Sequence, residues 1–248
     1  MEFLWGRALQ SPVPQRPNPL DERRGMFGSL PVDISTFGGK IDGLIFYIYA
    51  LTGFFFVVIL GYMAFAMVKF RKKDGVKARY FAGEGRAVFW ILVLSVLILA
   101  LDLSIDYKSA PIWELIKMDI PAGDVNLRVE AKQFEWNFHY PAPDGSYDGP
   151  GNFVSLRELH VPVNKKIRLL LVSADVIHSF FIPSCRLKQD VMPGRQIPAW
   201  FEATQTGTYD ILCAEICGFG HTRMTANLVV QDQKDYDDWL AAQRNPKP

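Results

Sequence analysis

Two long apolar runs occupy the first half of the chain. Gly43–Val68 contains 26 residues without a charge. At about 1.5 Å per helical residue, this run exceeds the roughly 30 Å hydrocarbon layer of a membrane. Ala87–Leu101 is a second apolar run of 15 residues, which we expect to continue to about Ile105. The pattern predicts two membrane-spanning helices, at about 43–68 and 84–105.

The segment between the two runs, residues 69–86, is strongly basic. It carries seven Lys and Arg residues against Asp74 and Glu84. A short basic loop beside a membrane span is typical of the cytoplasmic side. The arm before the first span and the chain after the second are therefore both expected outside the cytoplasm. Nucleic acid is excluded as a partner, because the net charge is only +1 and the basic run directly abuts an apolar span.

After the second span the pattern changes to a period of two. Val125–Lys132 alternates apolar and polar residues, which predicts a half-buried strand. The loop 141–151 is rich in Pro, Gly and Asp. Further strands are predicted at residues 167–172, 199–203, 208–213 and 226–230. Short strands separated by turn signals predict a β-sandwich or barrel, and the helical spacing in Lys234–Arg244 predicts a short terminal helix.

These patterns divide the chain into four parts. Residues 1–40 form an arm outside the cytoplasm, 41–107 form a transmembrane hairpin, 108–232 form the β domain, and 233–248 form the terminal helix and tail.

The cysteine content limits the chemistry. The 248 residues include three cysteines, so they cannot all pair within one chain. A C-x-x-C-H motif does not occur in the sequence, so no c-type haem is attached to this polypeptide. Cys185 stands apart from the other two cysteines and is interpreted as a buried thiol.

The densest chemical signal is the stretch CAEICGFGHTRM, residues 213–224. It brings Cys213, Cys217, His221 and Met224 into one predicted loop, and His178 lies upstream in DVIHSF. Thiolate, imidazole and thioether groups are the donors that copper prefers. One loop can turn all four of its donors toward a single point, with His178 contributed by a neighbouring loop.

Three other interpretations of this cluster are open. A tetrahedral zinc site uses Cys and His and gives Met224 no role. A mononuclear blue-copper site needs one Cys, two His and one Met, which leaves one cysteine over. A Cys213–Cys217 disulfide is compatible with an oxidising compartment, but it leaves the neighbouring His and Met unexplained. Two thiolates shared by two copper ions use every donor.

The motif C-x-E-x-C-x3-H-x2-M, with D-V-x-H-S upstream, resembles subunit II of haem–copper terminal oxidases, the cytochrome c oxidase subunit II family with a CuA site. QFEW, ELHVPVNK and LKQDVMPGR also resemble segments of that family. The resemblance covers most of the chain. It implies a two-helix transmembrane hairpin, then an all-β cupredoxin-like sandwich, then a short C-terminal helix.

The resemblance also implies a dinuclear copper centre with a defined ligand set. Cys213 and Cys217 would bridge both copper ions. His178 and Met224 would complete one ion, and His221 with the backbone carbonyl of Glu215 would complete the other. The Glu215 side chain is then a candidate magnesium ligand at the boundary with the catalytic subunit. Asp190 is expected near the same boundary.

Two departures from the family pattern affect how electrons and protons enter. Electrons are expected to enter through the aromatic stretch that contains Phe134 and Trp136, and Phe134 stands where the family usually has tryptophan. Ala87 stands where the family often has a glutamate at the mouth of a proton path. Glu84, one turn earlier, is a candidate substitute for it, and a solvated loop glutamate is the alternative.

The resemblance implies the electron-input subunit of a cytochrome c oxidase, which is non-catalytic itself within a proton-translocating complex. It would take single electrons from a c-type cytochrome and pass them to haem in catalytic subunit I, where oxygen is reduced to water. The copper domain would lie on the periplasmic side of the inner membrane. The chain would contact membrane lipid and other oxidase subunits, and membership of a respiratory supercomplex stays open.

Three other functions share parts of this pattern. The CuA subunit of a nitric oxide reductase and a membrane-anchored copper chaperone remain alternatives. A quinol oxidase subunit without copper is disfavoured by the intact ligand set.

Overall fold

The computed structural model describes residues 30–77, Gly83 and 85–245. Most of the predicted arm, part of the basic loop and Glu84 lie outside these residues. The described chain forms two compact units. Residues 40–115 make up one unit, and residues 116–245 together with 30–39 make up the other.

The first unit consists of two long apolar helices. Helix α1 spans Gly38–Lys69 and helix α2 spans Gly85–Trp113, and a π-helical stretch follows at Glu114–Met118. Both helices are long and apolar enough to cross a membrane, and their apolar stretches bury no residue inside protein. Apolar surface of that extent needs lipid or a partner to cover it. Within the unit, the Tyr47 hydroxyl lies 2.7 Å from Ser104 Oγ.

The described residues of the second unit form ten strands. They are β1 Val125–Lys132, β2 Glu135–Tyr140, β3 Phe153–Leu156, β4 Glu158–Pro162, β5 Lys166–Ser173, β6 His178–Ile182, β7 Leu187–Val191, β8 Ile197–Glu202, β9 Gly207–Cys213 and β10 Thr225–Gln231.

The strands form two five-stranded sheets, in the orders β3-β2-β1-β5-β8 and β4-β10-β9-β6-β7. The β1–β5 and β4–β10 pairs are parallel, and the other pairs are antiparallel. This architecture confirms the predicted all-β sandwich that follows two apolar helices. The arrangement places β6 beside β9, so that the start of one strand lies near the end of the other.

Aromatic side chains connect the two sheets in the core. Trp136 and Phe138 on β2, and Phe180 on β6, are completely buried. The Trp136 and Phe180 rings meet edge to face, with centroids 5.2 Å apart. The Trp136 centroid also lies 6.1 Å from the ring of His178, the first residue of β6. The core therefore extends up to His178, one of the copper ligands predicted from the sequence.

The segment before α1 is part of the sandwich. The Ile34 amide donates to the Ser184 carbonyl at 2.9 Å, and the Thr204 amide donates to the Ile34 carbonyl at 2.7 Å. Ile34 and Phe37 are fully buried, and the Phe37 ring meets Trp200 edge to face at 5.4 Å. The end of the predicted arm thus supplies core residues to the β unit.

The predicted terminal helix is confirmed as α3, Gln233–Arg244. Its Trp239 stacks on the His160 ring with centroids 4.0 Å apart and planes inclined by 11°. The Tyr140 hydroxyl holds the backbone of His160 from the other side, donating to its carbonyl and accepting from its amide, each at 2.8 Å. His160 is therefore a structural contact for α3.

We predict that Ile34→Ala lowers the free energy of unfolding of the β unit by about 2–5 kcal/mol, because the substitution leaves a cavity in a closed core. Thermal unfolding of the full-length protein, followed by tryptophan fluorescence and circular dichroism, measures the change. Leu156→Ala is the control, since Leu156 is 62% exposed, and it should change the free energy by about 0.5 kcal/mol or less. Equal effects of the two substitutions would contradict a core role for the segment before α1.

Candidate metal centre

Strand pairing brings the two ligand-bearing segments together. His178 opens β6 and Cys213 closes β9, and the register places Phe180 opposite Cys213. The Ala214 amide donates to the Ser179 carbonyl at 2.9 Å, which extends the pairing to the residues next to both ligands. The loop that follows β9 contains a 3₁₀ turn at His221–Arg223 and returns to β10. One end of the second sheet therefore carries every predicted copper ligand.

The Cys217 sulfur lies at the centre of the donor set. It is 3.9 Å from Cys213 Sγ, 3.7 Å from His221 Nδ1 and 3.8 Å from Met224 Sδ. On the other side, Cys213 Sγ lies 4.0 Å from His178 Nδ1. The ligand atoms of His178, Cys213 and Cys217 are all within 4.8 Å of one another, a grouping that could hold a metal ion.

Glu215 offers its backbone carbonyl to the donor set. Its carbonyl oxygen lies 3.2 Å from Cys213 Sγ, while the residue as a whole is exposed. The structure therefore brings the sulfur, imidazole, thioether and carbonyl donors named from the sequence to one place. The carboxylate is available for a separate contact.

Burial favours the uncharged thiol over the thiolate at Cys217. Burial, followed by the proximity of Cys213, raises the pKa of the Cys217 thiol to about 11. A bound cation reverses this preference, because it stabilises the thiolate that coordinates it. The two sulfurs, 3.9 Å apart, are much farther apart than the roughly 2.05 Å of a disulfide, and both cysteines are free. The donor chemistry thus fits a soft metal better than a covalent crosslink.

Asp175 contacts the predicted ligand His178, and the sequence alone did not assign it a role. Its Oδ1 lies 2.8 Å from His178 Nε2 and accepts the Val176 amide at 2.6 Å, and its Oδ2 accepts the Gln133 amide at 2.7 Å. Partial burial opposes its ionisation, but the hydrogen bonds from His178 and the two amides outweigh burial and lower its pKa. A carboxylate behind a ligating histidine fixes the ring orientation and tautomer. The sequence feature that could have pointed to this contact is the position of Asp175 three residues before His178.

Phe134 packs directly on the ligand loop. Gly218 and Gly220 face its ring, and a Cβ on Gly220 would lie 2.5 Å from ring carbons of Phe134. Phe134 is half-buried, whereas Trp136 is completely buried below His178. Of the two aromatic residues predicted to take part in electron input, only Phe134 therefore reaches the surface.

Two further predicted residues have defined surroundings. Asp190, on β7, accepts a hydrogen bond from Ser179 Oγ at 2.8 Å and forms an ion pair with Lys188 at 3.2 Å. The bond from Ser179 is the main cause of its lowered pKa. Cys185 is completely buried away from the donor set, and burial raises the pKa of its thiol.

Comparison with known proteins shows the family of this chain. A family model described as the periplasmic domain of cytochrome c oxidase subunit II matches residues 152–232. The alternative cytochrome c oxidase subunit 2 of Bradyrhizobium diazoefficiens is 30% identical over 233 residues, which cover 85% of this chain and 83% of that protein. The chain belongs to the cytochrome c oxidase subunit 2 family.

Other members of the subunit 2 family have similar coverage. The cytochrome c oxidase subunit 2 of Synechocystis sp. is 28% identical, over 87% of this chain and 76% of that protein. Among solved structures, the periplasmic domain of subunit II of cytochrome oxidase from Bradyrhizobium japonicum is 33% identical, with a TM-score of 0.46. The match covers 50% of this chain and 96% of that domain. Membership of the family makes this chain a subunit of a haem–copper oxidase complex with other oxidase subunits.

We predict that Gly220→Ala disturbs the donor set, because the new methyl group would collide with the Phe134 ring. The expected loss of unfolding free energy is about 1–3 kcal/mol, measured by thermal unfolding of the full-length protein. The double substitution Gly220→Ala with Phe134→Ala should cost less than the sum of the two single changes.

Gly149→Ala is the matched control for this series. A Cβ there meets its nearest neighbour at an ordinary 3.4 Å, so a small change is expected. Additive effects of Gly220→Ala and Phe134→Ala would contradict direct packing between the loop and the ring.

Proposed function

We propose that this chain is the electron-input subunit of a cytochrome c oxidase and that its donor set holds a dinuclear copper centre. The observation that carries the proposal is the pair of cysteine sulfurs 3.9 Å apart, with His178 beside one and His221 beside the other. A mononuclear blue-copper site would use both imidazoles but leave one thiol without a role. A pair of metal ions that shares both thiols gives every donor a role.

The proposed ligands are His178, Cys213, Cys217, His221, Met224 and the Glu215 carbonyl. A copper pair bound there accepts and releases one electron at a time. The chain's own residues restrict what else can happen at this site. His178 and Met224 are completely buried and Cys217 is nearly so, which limits access of water and leaves no evident place for a substrate. Oxygen reduction is accordingly assigned to haem and copper in catalytic subunit I.

The segment before α1 supports the proposed membrane topology. Ile34 and Phe37 belong to the same β unit as the chain after α2. If one helix crosses a membrane, the other must cross back. We therefore propose two spans with a cytoplasmic loop of residues 69–86. The β domain then lies on the periplasmic side of the inner membrane.

Two exposed carboxylates are candidates for contacts with the catalytic subunit. We propose that the Glu215 side chain ligates magnesium at that boundary, as the family resemblance implies, and that Asp190 lies near it. The backbone carbonyl of Glu215 already points toward Cys213, so the same residue would join the copper centre to the second metal. Glu84 stays a sequence-based candidate for the proton path.

The donor surface is proposed at the ligand loops. Phe219 is fully exposed between Cys217 and His221, and Ile216 is 82% exposed beside Cys217. Phe134 lies against the same loop at Gly218 and Gly220. Exposed apolar residues around a buried redox centre suit a transient partner that brings its haem edge close. We propose that a c-type cytochrome docks here and that electrons enter past Phe134.

We predict that the full-length chain, purified in detergent and loaded with copper, binds two copper ions per chain. Metal analysis measures the ratio, and EPR should show one unpaired electron shared equally by two copper nuclei. Cys217→Ser should abolish the shared spectrum, because it removes the central sulfur. Cys185→Ala, at the cysteine outside the donor set, is the matched control and should retain both ions.

Other results would favour the alternatives. Binding of one copper ion with a mononuclear spectrum, or preferential binding of zinc, would contradict the assignment of a dinuclear copper centre. Rapid exchange of copper without reversible one-electron redox would favour a chaperone. Co-purification with a nitric-oxide-reducing catalytic subunit would place the same centre in a different enzyme.

We predict that Phe219→Ala lowers the second-order rate of electron input from a reduced c-type cytochrome about fivefold, since truncating a central interface aromatic costs about 1 kcal/mol or more. Stopped-flow oxidation of the cytochrome by the intact oxidase measures this rate. Leu156→Ala, which removes an exposed apolar side chain on β3, should leave the rate unchanged. Loss of rate in Leu156→Ala, or none in Phe219→Ala, would place the docking surface elsewhere.

A further inference from the structure

Gln133 lies in the turn between β1 and β2, on the sheet that carries none of the proposed copper ligands. It nevertheless makes a hydrogen bond to each ligand-bearing loop. Its backbone amide donates to Asp175 Oδ2 at 2.7 Å. Its side-chain Nε2 donates to the Cys217 carbonyl at 2.5 Å. One residue therefore connects the loop before His178 with the loop after Cys213.

The backbone bond acts on His178 through Asp175. One carboxylate oxygen accepts the Gln133 amide, and the other faces His178 Nε2 at 2.8 Å. This arrangement assigns the Nε2 proton to the contact with Asp175. It leaves Nδ1, which lies 4.0 Å from Cys213 Sγ, as the nitrogen available to a metal.

The side-chain bond acts on the central cysteine. The carbonyl that accepts it belongs to Cys217, whose sulfur has Cys213, His221 and Met224 as neighbours. Gly218, the next residue, has a φ of +139°, and a Cβ there would lie 2.8 Å from Gln133 Nε2. The glycine both adopts the required backbone conformation and leaves room for the amide group.

We propose that Gln133 is a positioning residue that sets the separation of the two ligand loops, and so the geometry in which the copper pair is held. The proposal rests on the metal centre proposed above and adds a role for a residue that contacts no metal. It also connects the donor surface to the ligands, because Gln133 immediately precedes Phe134. The two bonds can be tested separately, since one comes from the backbone and the other from the side chain.

Gln133→Ala removes only the bond to Cys217 and keeps the backbone bond to Asp175. Gln133→Glu keeps the size of the side chain but turns an oxygen toward the Cys217 carbonyl, which replaces attraction by repulsion. Asp175→Asn tests the other bond, because an asparagine amide keeps only one acceptor oxygen and cannot accept from both the Gln133 amide and His178 Nε2. Lys132→Ala, at the exposed residue just before Gln133, is the matched control.

The experiment uses the full-length chain in detergent, loaded with copper, and measures three quantities. They are the rate of copper transfer to a chelator, the copper hyperfine splitting in EPR, and the thermal unfolding temperature of the metal-free protein. Both Gln133 variants and Asp175→Asn should release copper about 10–100-fold faster than the unaltered protein, as expected for residues that support metal ligands. Their hyperfine splitting should change as well, while Lys132→Ala behaves like the unaltered protein.

The outcomes separate this inference from the proposed function. If the unaltered chain does not bind two coppers that share one electron, the proposed function fails first. If it does, and the Gln133 variants release copper at its rate with its hyperfine splitting, the positioning role is overturned. Faster release that Lys132→Ala shares, or that follows the drop in unfolding temperature alone, would also overturn it, because both indicate general destabilisation.

Discussion

The pairing of β6 with β9 is the contact on which the candidate metal site depends. It sets Phe180 opposite Cys213 and brings Ser179 within hydrogen-bonding distance of Ala214. His178 directly precedes Ser179, and Cys213 is itself the partner of Phe180. The positions of both donors therefore follow from the register of these two strands. A slip of one residue would turn His178 to the opposite face of the sheet and separate it from the sulfurs. The site is therefore a product of sheet register as much as of its own loop.

The neighbouring sheet holds this arrangement from the other side. Trp136 fills the core beneath His178, and the Phe134 ring rests on two glycines of the ligand loop. The proposed ligands, held in this way, would have little freedom to move if a bound metal changed charge. Limited movement suits a centre that passes electrons, because each change of bond length adds to the barrier for transfer.

Much of the fold and most of the donor set could be predicted from local sequence. The two helices follow from long uncharged runs, and β1 follows from its alternation. Strands β4 and β6 lie outside the predicted set because most of their residues are buried on both faces, so no alternation marks them. Cys213, Cys217, His221 and Met224 are visible as a motif because one loop carries them all. Gln133 was missed because its role depends on contacts with segments 42 and 84 residues away, which spacing along the chain does not reveal. Asp175 lies only three residues before His178, but that spacing alone does not show that its carboxylate faces the imidazole ring.

The packing of Ile34 and Phe37 against the sandwich has a consequence for biosynthesis. These residues are made before either helix, yet their partners Ser184, Trp200 and Thr204 are made long after both. In a membrane protein with the proposed topology, the segment before α1 must be translocated and then wait for the β domain to emerge on the same side. Completion of the core would then report that both helices have been inserted in the correct orientation. A chain with its first helix reversed would leave the core of the sandwich open beside Trp200.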